Sequence, residues 1–172
     1  MKALATLVSL LTLSTMAVAH AQQLDPQAEI RKMQEAQAKL MVAMVTERKS
    51  RLGFNETVNT LQDVARKRGW EIGPVVDMQE AMLKAGQKNP RPFKMMGLCK
   101  RDLAENLLKA QAAQKVMPFA PCRISVFEGT DGKVYIAKPN TEFMAQMATP
   151  AFEPLLKQLA AEEKALLAGI IE

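Results

Sequence analysis

The stretch from Arg123 to Ile136 constrains this chain more than any other. Ile124 and Val126 alternate with their neighbours, Asp131-Gly132 follows, and Val134 and Ile136 resume the alternation. Side chains along a strand point to opposite faces with a period of two, and Asp-Gly accepts the positive φ of a tight hairpin turn. The pattern predicts an antiparallel hairpin with one apolar face, and such a sheet needs helices to cover that face.

The segments around the hairpin supply them. Phe93 to Cys99 reads as a strand, preceded by a basic, proline-containing loop over 87–92. Asp102 with Glu105 resembles a capping box, and Leu103, Leu107 and Leu108 share the face of the helix it would open. Asn55 is expected to cap a helix bearing Val58, Leu61, Val64 and Ala65 and closing at Gly69. Trp70 to Val76 reads as a strand that Pro74 confines to an edge or a bulge. Asp77 caps a short helix with Met78 and Met82, ending near Gly86, and Asn140 opens another with Phe143, Met144 and Met147. Thr149-Pro150 opens the last helix, whose stripe of Phe152, Leu155, Leu156, Leu159, Leu166, Leu167 and Ile170 suits a core or a dimer seam. Near the start, Asp25-Pro26 begins a helix with Ile30, Met33, Ala36 and Leu40, while the β-branched Val42, Val45 and Thr46 favour a strand over Leu40 to Thr46. The expected fold is α+β: a small, mostly antiparallel sheet packed against helices. Its parts are a helical extension over 22–39, a core domain over 40–148 and a C-terminal helix over 149–172.

Residues 1–21 read as a secretory signal peptide. Lys2 is the positive start, Leu4 to Val18 is apolar or small, and Ala19-His20-Ala21 fits the cleavage site, with Ala17-Val18-Ala19 as a second one. The apolar run is shorter than the ~20 residues a spanning helix needs, and no later segment is long and apolar enough. The expected location is secreted or periplasmic. Cleavage after Ala21 removes His20, the sole histidine, and with it imidazole as general base or metal ligand, whereas cleavage after Ala19 leaves it at the new N-terminus as a single metal ligand. There is also no Cys-x-x-Cys-His for haem attachment. Loss of Lys2 leaves 22 basic and 18 acidic side chains, too small an excess for a nucleic-acid footprint, and one Tyr and one Trp make no stacking platform. No nucleophile elbow, phosphate loop, calcium loop or zinc spacing is present, and no carboxylate pair stands out; Glu162-Glu163 reads as helix surface. The chain therefore leans away from enzymes.

The chemistry that remains is sulfur. Cys99 ends the predicted strand, on the face of Phe93, Met95 and Gly97, and Cys122 enters the hairpin in phase with Ile124 and Val126. Two cysteines in an exported chain invite a structural disulfide, worth about 3 kcal/mol for a loop of this length on the chain-entropy model. Two buried, unpaired thiols are the plainer alternative. A third reading is thiol redox or sulfur carriage, because Lys100, Arg101 and Arg123 flank the thiols and a helix start follows Cys99; both features favour thiolate. A fourth is a soft-metal site for copper(I), built from Cys99, Cys122, Met95 and Met117, since thiolate and thioether ligands select that ion. Ten of the twelve methionines follow the leader, and the pairs Met78/Met82 and Met144/Met147 have helical spacings typical of core filling. The basic runs Arg48-Lys49-Arg51 and Arg66-Lys67-Arg68 read as solvated edges that would suit a small anionic ligand or a partner protein.

Several of these segments also carry a resemblance. Gly53-Phe54-Asn55-Glu56-Thr57-Val58, Gly69-Trp70, Arg91-Pro92-Phe93 and Pro121 through Glu128 with Asp131 through Ile136 together resemble the domain-of-unknown-function family three-zero-two, over about residues 40–148. That resemblance implies a compact α+β domain, often a homodimer, with no catalytic residue to carry over; the two cysteines belong to a subset of such proteins. The resulting expectation is an exported, non-enzymatic binding or accessory protein, with a thiol redox or sulfur-carrier protein as the alternative.

Overall fold

Five antiparallel strands carry the architecture. The computed structural model describes residues 25–114 and 123–172; the expected signal peptide, Met117 and Cys122 lie outside the described residues. In chain order the elements are α1 (Pro26–Ala43), β1 (Val45–Lys49), α2 (Phe54–Lys67), β2 (Glu71–Asp77), α3 (Met78–Lys84), β3 (Phe93–Cys99), α4 (Arg101–Gln114), β4 (Arg123–Glu128), β5 (Val134–Pro139), α5 (Thr141–Gln146) and α6 (Glu153–Leu167). The sheet order is β1-β5-β4-β3-β2, so the β4–β5 hairpin and β3 fill the middle and the two earliest strands form the edges. This is the α+β fold that the alternation and the helical stripes predict.

Local chemistry sets most boundaries. Gly132 takes φ 72° in the hairpin turn, where a side chain would be strained. The Asp77 carboxylate accepts the Glu80 N–H at 3.0 Å and opens α3, while the Asn140 side chain accepts the Phe143 N–H at 3.1 Å and opens α5. Asp25 accepts the Gln27 N–H at 3.0 Å ahead of Pro26. Pro74 sits on edge strand β2, within a register shift between Ile72 and Val75.

Four boundaries differ from the sequence reading. Helix α1 runs through Ala43, and the strand starts only at Val45: Leu40, Met41 and Ala43 are strong helix formers and outweigh Val42. Helix α2 begins at Phe54 with Gly53 as its cap and no side-chain bond from Asn55. Helix α4 begins at Arg101, which puts Asp102 inside its first turn rather than at the cap. Thr149 forms a separate turn through its carbonyl, accepting from Phe152 and Glu153, and α6 starts at Glu153 with a proline in its first turn.

The core lies on one face of the sheet. Met96 and Leu98 of β3, Ile124 and Val126 of β4, and Ile136 of β5 meet Val58, Leu61 and Ala65 of α2, Leu103 and Leu107 of α4, and Leu156, Leu159, Leu166 and Leu167 of α6. The C-terminal stripe is thus core. Leu108, expected beside Leu107, is 49% exposed, because position 108 is turned about 100° from 107 on a 3.6-residue helix. Among the described methionines the filler is Met96; Met78, Met82 and Met144 are half-buried and Met147 is exposed.

Leu61 is fully buried. We expect Leu61→Ala to lower unfolding free energy by about 3 kcal/mol in urea titrations, whereas Leu108→Ala should stay within about 0.5 kcal/mol.

Candidate functional site

The sheet's second face carries Cys99. Register places Glu71 opposite Cys99 and Val76 opposite Met95, Phe93 opposite Phe127, Met95 opposite Ser125, and Gly97 opposite Arg123. Ser125 and Phe127 in turn face Ala137 and Tyr135, which face Glu47 and Lys49 of β1. None of these side chains is buried. Outward positions of an antiparallel sheet normally alternate to polar residues; here they include Val76, Phe93, Met95, Phe127 and Tyr135. The aromatic rings form a ladder, with Phe93 edge-on to Phe127 at 6.0 Å and Phe127 stacked on Tyr135 at 5.8 Å.

Cys99 stands at the opposite end of this face from the ladder, half-buried. It shares the face of Met95 and Gly97, as the strand period predicts, and that face is the one turned away from Ile124 and Val126. Four residue steps of extended strand lead from Met95 to Cys99, roughly 13 Å between Cα atoms. A cavity of about 190 Å³ at Met95 is lined by Pro74, Val76, Met95, Met96, Gly97 and Arg123.

The basic neighbours are differently engaged. Lys100 donates to the Arg68 carbonyl at 2.9 Å and lies 3.6 Å from Glu162. Arg101 pairs with Glu71, so both charges are partly committed to structural partners. Arg123 is exposed on the face of Cys99. Among the described residues, no three His, Cys, Asp or Glu side chains gather where they could hold one ion.

One group that the sequence reading placed at the surface is buried. Glu163 is 2% exposed; it accepts from Lys138 Nζ at 2.7 Å and from the Thr141 hydroxyl at 2.7 Å. Its neighbour Glu162 is the surface-facing partner of Arg68. The signal was present in the spacing: Leu159, position 163 and Leu166 fall on one helical stripe. Burial pushes the Glu163 carboxyl above its ordinary range, with the nearby Glu142 adding to the shift, against the pull of Lys138 and Thr141. The opposite holds for Asp77, which is held low first by the Glu80 N–H and then by Lys94.

The fold and this half-open sheet define the class: a small α+β domain with a single antiparallel sheet among the described residues, with α2, α4 and α6 packed on one face and a partly apolar face on the other. Residues 46–172 match the family described as Domain of unknown function DUF302, and the chain belongs to that family. Among solved structures it is similar to the uncharacterized conserved protein DUF302 from Bacillus stearothermophilus, with a TM-score of 0.61 and 20% identity over 72% of this chain and 95% of that one. No curated protein matches the chain. No helix among the described residues is long and apolar enough to cross a membrane.

A raised carboxyl is protonated more readily in the folded than in the unfolded chain. Its contribution to stability is therefore complete below the ordinary glutamate range and is lost as pH rises through the raised value. We expect the stability difference between wild type and Glu163→Gln, measured by urea midpoints, to shift against wild type as pH rises from mildly acidic to neutral. A shift in its favour contradicts the burial argument.

Proposed function

We propose that this chain is an exported, non-enzymatic binding or accessory protein of a secreted or periplasmic location, acting as a homodimer through the open face of its sheet. The observation that carries this reading is the apolar character of that face: Val76, Phe93, Met95, Phe127 and Tyr135 stand where an isolated antiparallel sheet would present polar groups. Opposite charges flank the apolar centre, with Arg123 on one side and Glu47 at the β1 edge. A two-fold partner presents the same patch, so both signs are available on each side for pairing across an isologous interface. The leader of Lys2 and Leu4 to Val18 supports export.

Within this reading Cys99 and Cys122 form a structural disulfide in preference to a copper(I) site. An oxidising compartment favours the bond, and Met95, the nearest described thioether on the face of Cys99, stands roughly 13 Å along the strand. The second reading is thiol redox or sulfur carriage. Its support is the half-buried position of Cys99 on the face that also presents Arg123.

Native mass spectrometry of the mature protein from its export compartment tests these statements together. The expected species is a dimer whose subunits are two hydrogens light and resist mild reductant, and Met95→Glu should convert it to monomer. Monomeric wild type contradicts the dimer. Bound copper lost in Cys99→Ser contradicts the disulfide, and easily reduced sulfurs select the thiol reading.

A further inference from the structure

The helix-covered face ends at β1 in a cavity of about 350 Å³, whose lining includes Arg48, Lys138, Glu142 and Lys164 with Ile136 and Leu167. Ile136 and Leu167 close its floor and are nearly inaccessible, the half-buried Ile171 adds the apolar surface beside them, and Arg48 and Lys164 are exposed at its mouth. Arg48 stands opposite Ile136 in the β1–β5 register, beside the Thr46–Lys138 pair on the same face, so this end of the helix-covered face is polar where the middle of the sheet is apolar. An inward charge on an edge strand discourages edge-to-edge pairing. That role does not require a second cation, yet Lys164 arrives from α6, and among the described residues neither Arg48 nor Lys164 has an ion-pair partner closer than 4 Å.

Lys138 is the fixed member of the group. Its ammonium has three N–H donors; Glu163 accepts one at 2.7 Å and the Pro139 carbonyl another at 3.1 Å. The third is left for the cavity that Lys138 lines. Three cations face two carboxylates here, Glu142 on the lining and the buried Glu163, which leaves one positive charge uncompensated. A dianion would overcompensate it and meet Glu142; a neutral molecule would leave Arg48 and Lys164 unpaired.

We infer that this cavity binds a small organic monoanion, a carboxylate with an apolar body, whose charged end meets Arg48 and Lys164 and whose body lies along Ile171 above Ile136 and Leu167. The volume is in the lower part of the range of small-molecule sites, ~300–1,000 Å³. The site lies on the opposite side of the sheet from the proposed dimer surface and stands independently of it.

Titration calorimetry on the mature full chain tests the inference with three probes: sodium octanoate, 1-octanol with the same body and no charge, and inorganic phosphate with charge and no body. Octanoate should bind at least ten-fold more tightly than either of the others. The double variant Arg48→Ser, Lys164→Ser should weaken octanoate ten-fold or more, while Arg66→Ser, whose guanidinium pairs with Asp63 on α2, should not change it. In amide NMR spectra the shifts should gather at Arg48, Ile136 and Leu167. Absence of octanoate binding overturns the inference; so does binding undiminished in the double variant, which would place the probe on the open sheet face, and so does phosphate binding as tightly as octanoate. The double variant should keep the oligomeric state of the wild type, so loss of this site and loss of the dimer read out separately.

Discussion

The domain depends on burying one face of one sheet. Met96, Leu98, Ile124, Val126 and Ile136 are nearly inaccessible because α2, α4 and α6 close over them. Apolar surface removed from water supplies the main favourable free energy of such a fold. A sheet is pleated, however, so every residue aimed into the core is flanked by one aimed out of it. The helices serve only half of those residues, and the outward half of β3, β4 and β5 includes Met95, Phe93, Phe127 and Tyr135. The same constraint that builds the core therefore leaves a second, partly apolar face that α2, α4 and α6 do not cover, bordered at its aromatic end by Met82 of α3.

Charge divides along the same line. On the helix side, the Glu163–Lys138 pair with Thr141 holds α6 against β5 and the start of α5. A buried pair of this kind is poor evidence for net stability, because desolvation of both ions offsets their attraction; its more certain consequence is position. It fixes the Lys138 ammonium where β5, α5 and α6 converge, at the rim of the cavity beside β1. On the open side, charges occupy the ends and edges: Arg101 with Glu71 near Cys99, Arg123 beside them, Glu47 and Lys49 on β1.

How much of this was legible in the sequence follows from how local each determinant is. The hairpin and the strand Phe93–Cys99 were readable residue by residue, since alternation and Asp131-Gly132 act over a few positions. The caps at Asp77 and Asn140 were equally local. Helix starts at α4 and α6 were read one to a few residues off, because Asp102 and Thr149 are good capping residues that tertiary packing did not use as caps. The opposite faces of Met95 and Met96 were predictable from parity, but which face the helices would cover was not, since that is decided by contacts far apart in sequence. Glu163 was missed for a related reason: the adjacent glutamates look like solvated surface until the apolar stripe is followed through position 163. The convergence of Arg48, Lys138 and Lys164 requires the sheet order, which places the earliest strand beside the last.

The two faces of β3 differ: Met96 is sealed within the chain, whereas Met95 lies on the face proposed to be covered by a second copy. Methionine-methyl NMR with a soluble paramagnetic probe reads both faces at once. The account predicts that the Met96 methyl is protected at every protein concentration, and that the Met95 methyl is broadened in dilute solution and becomes protected as concentration rises. A Met95 methyl equally accessible at all concentrations would contradict it.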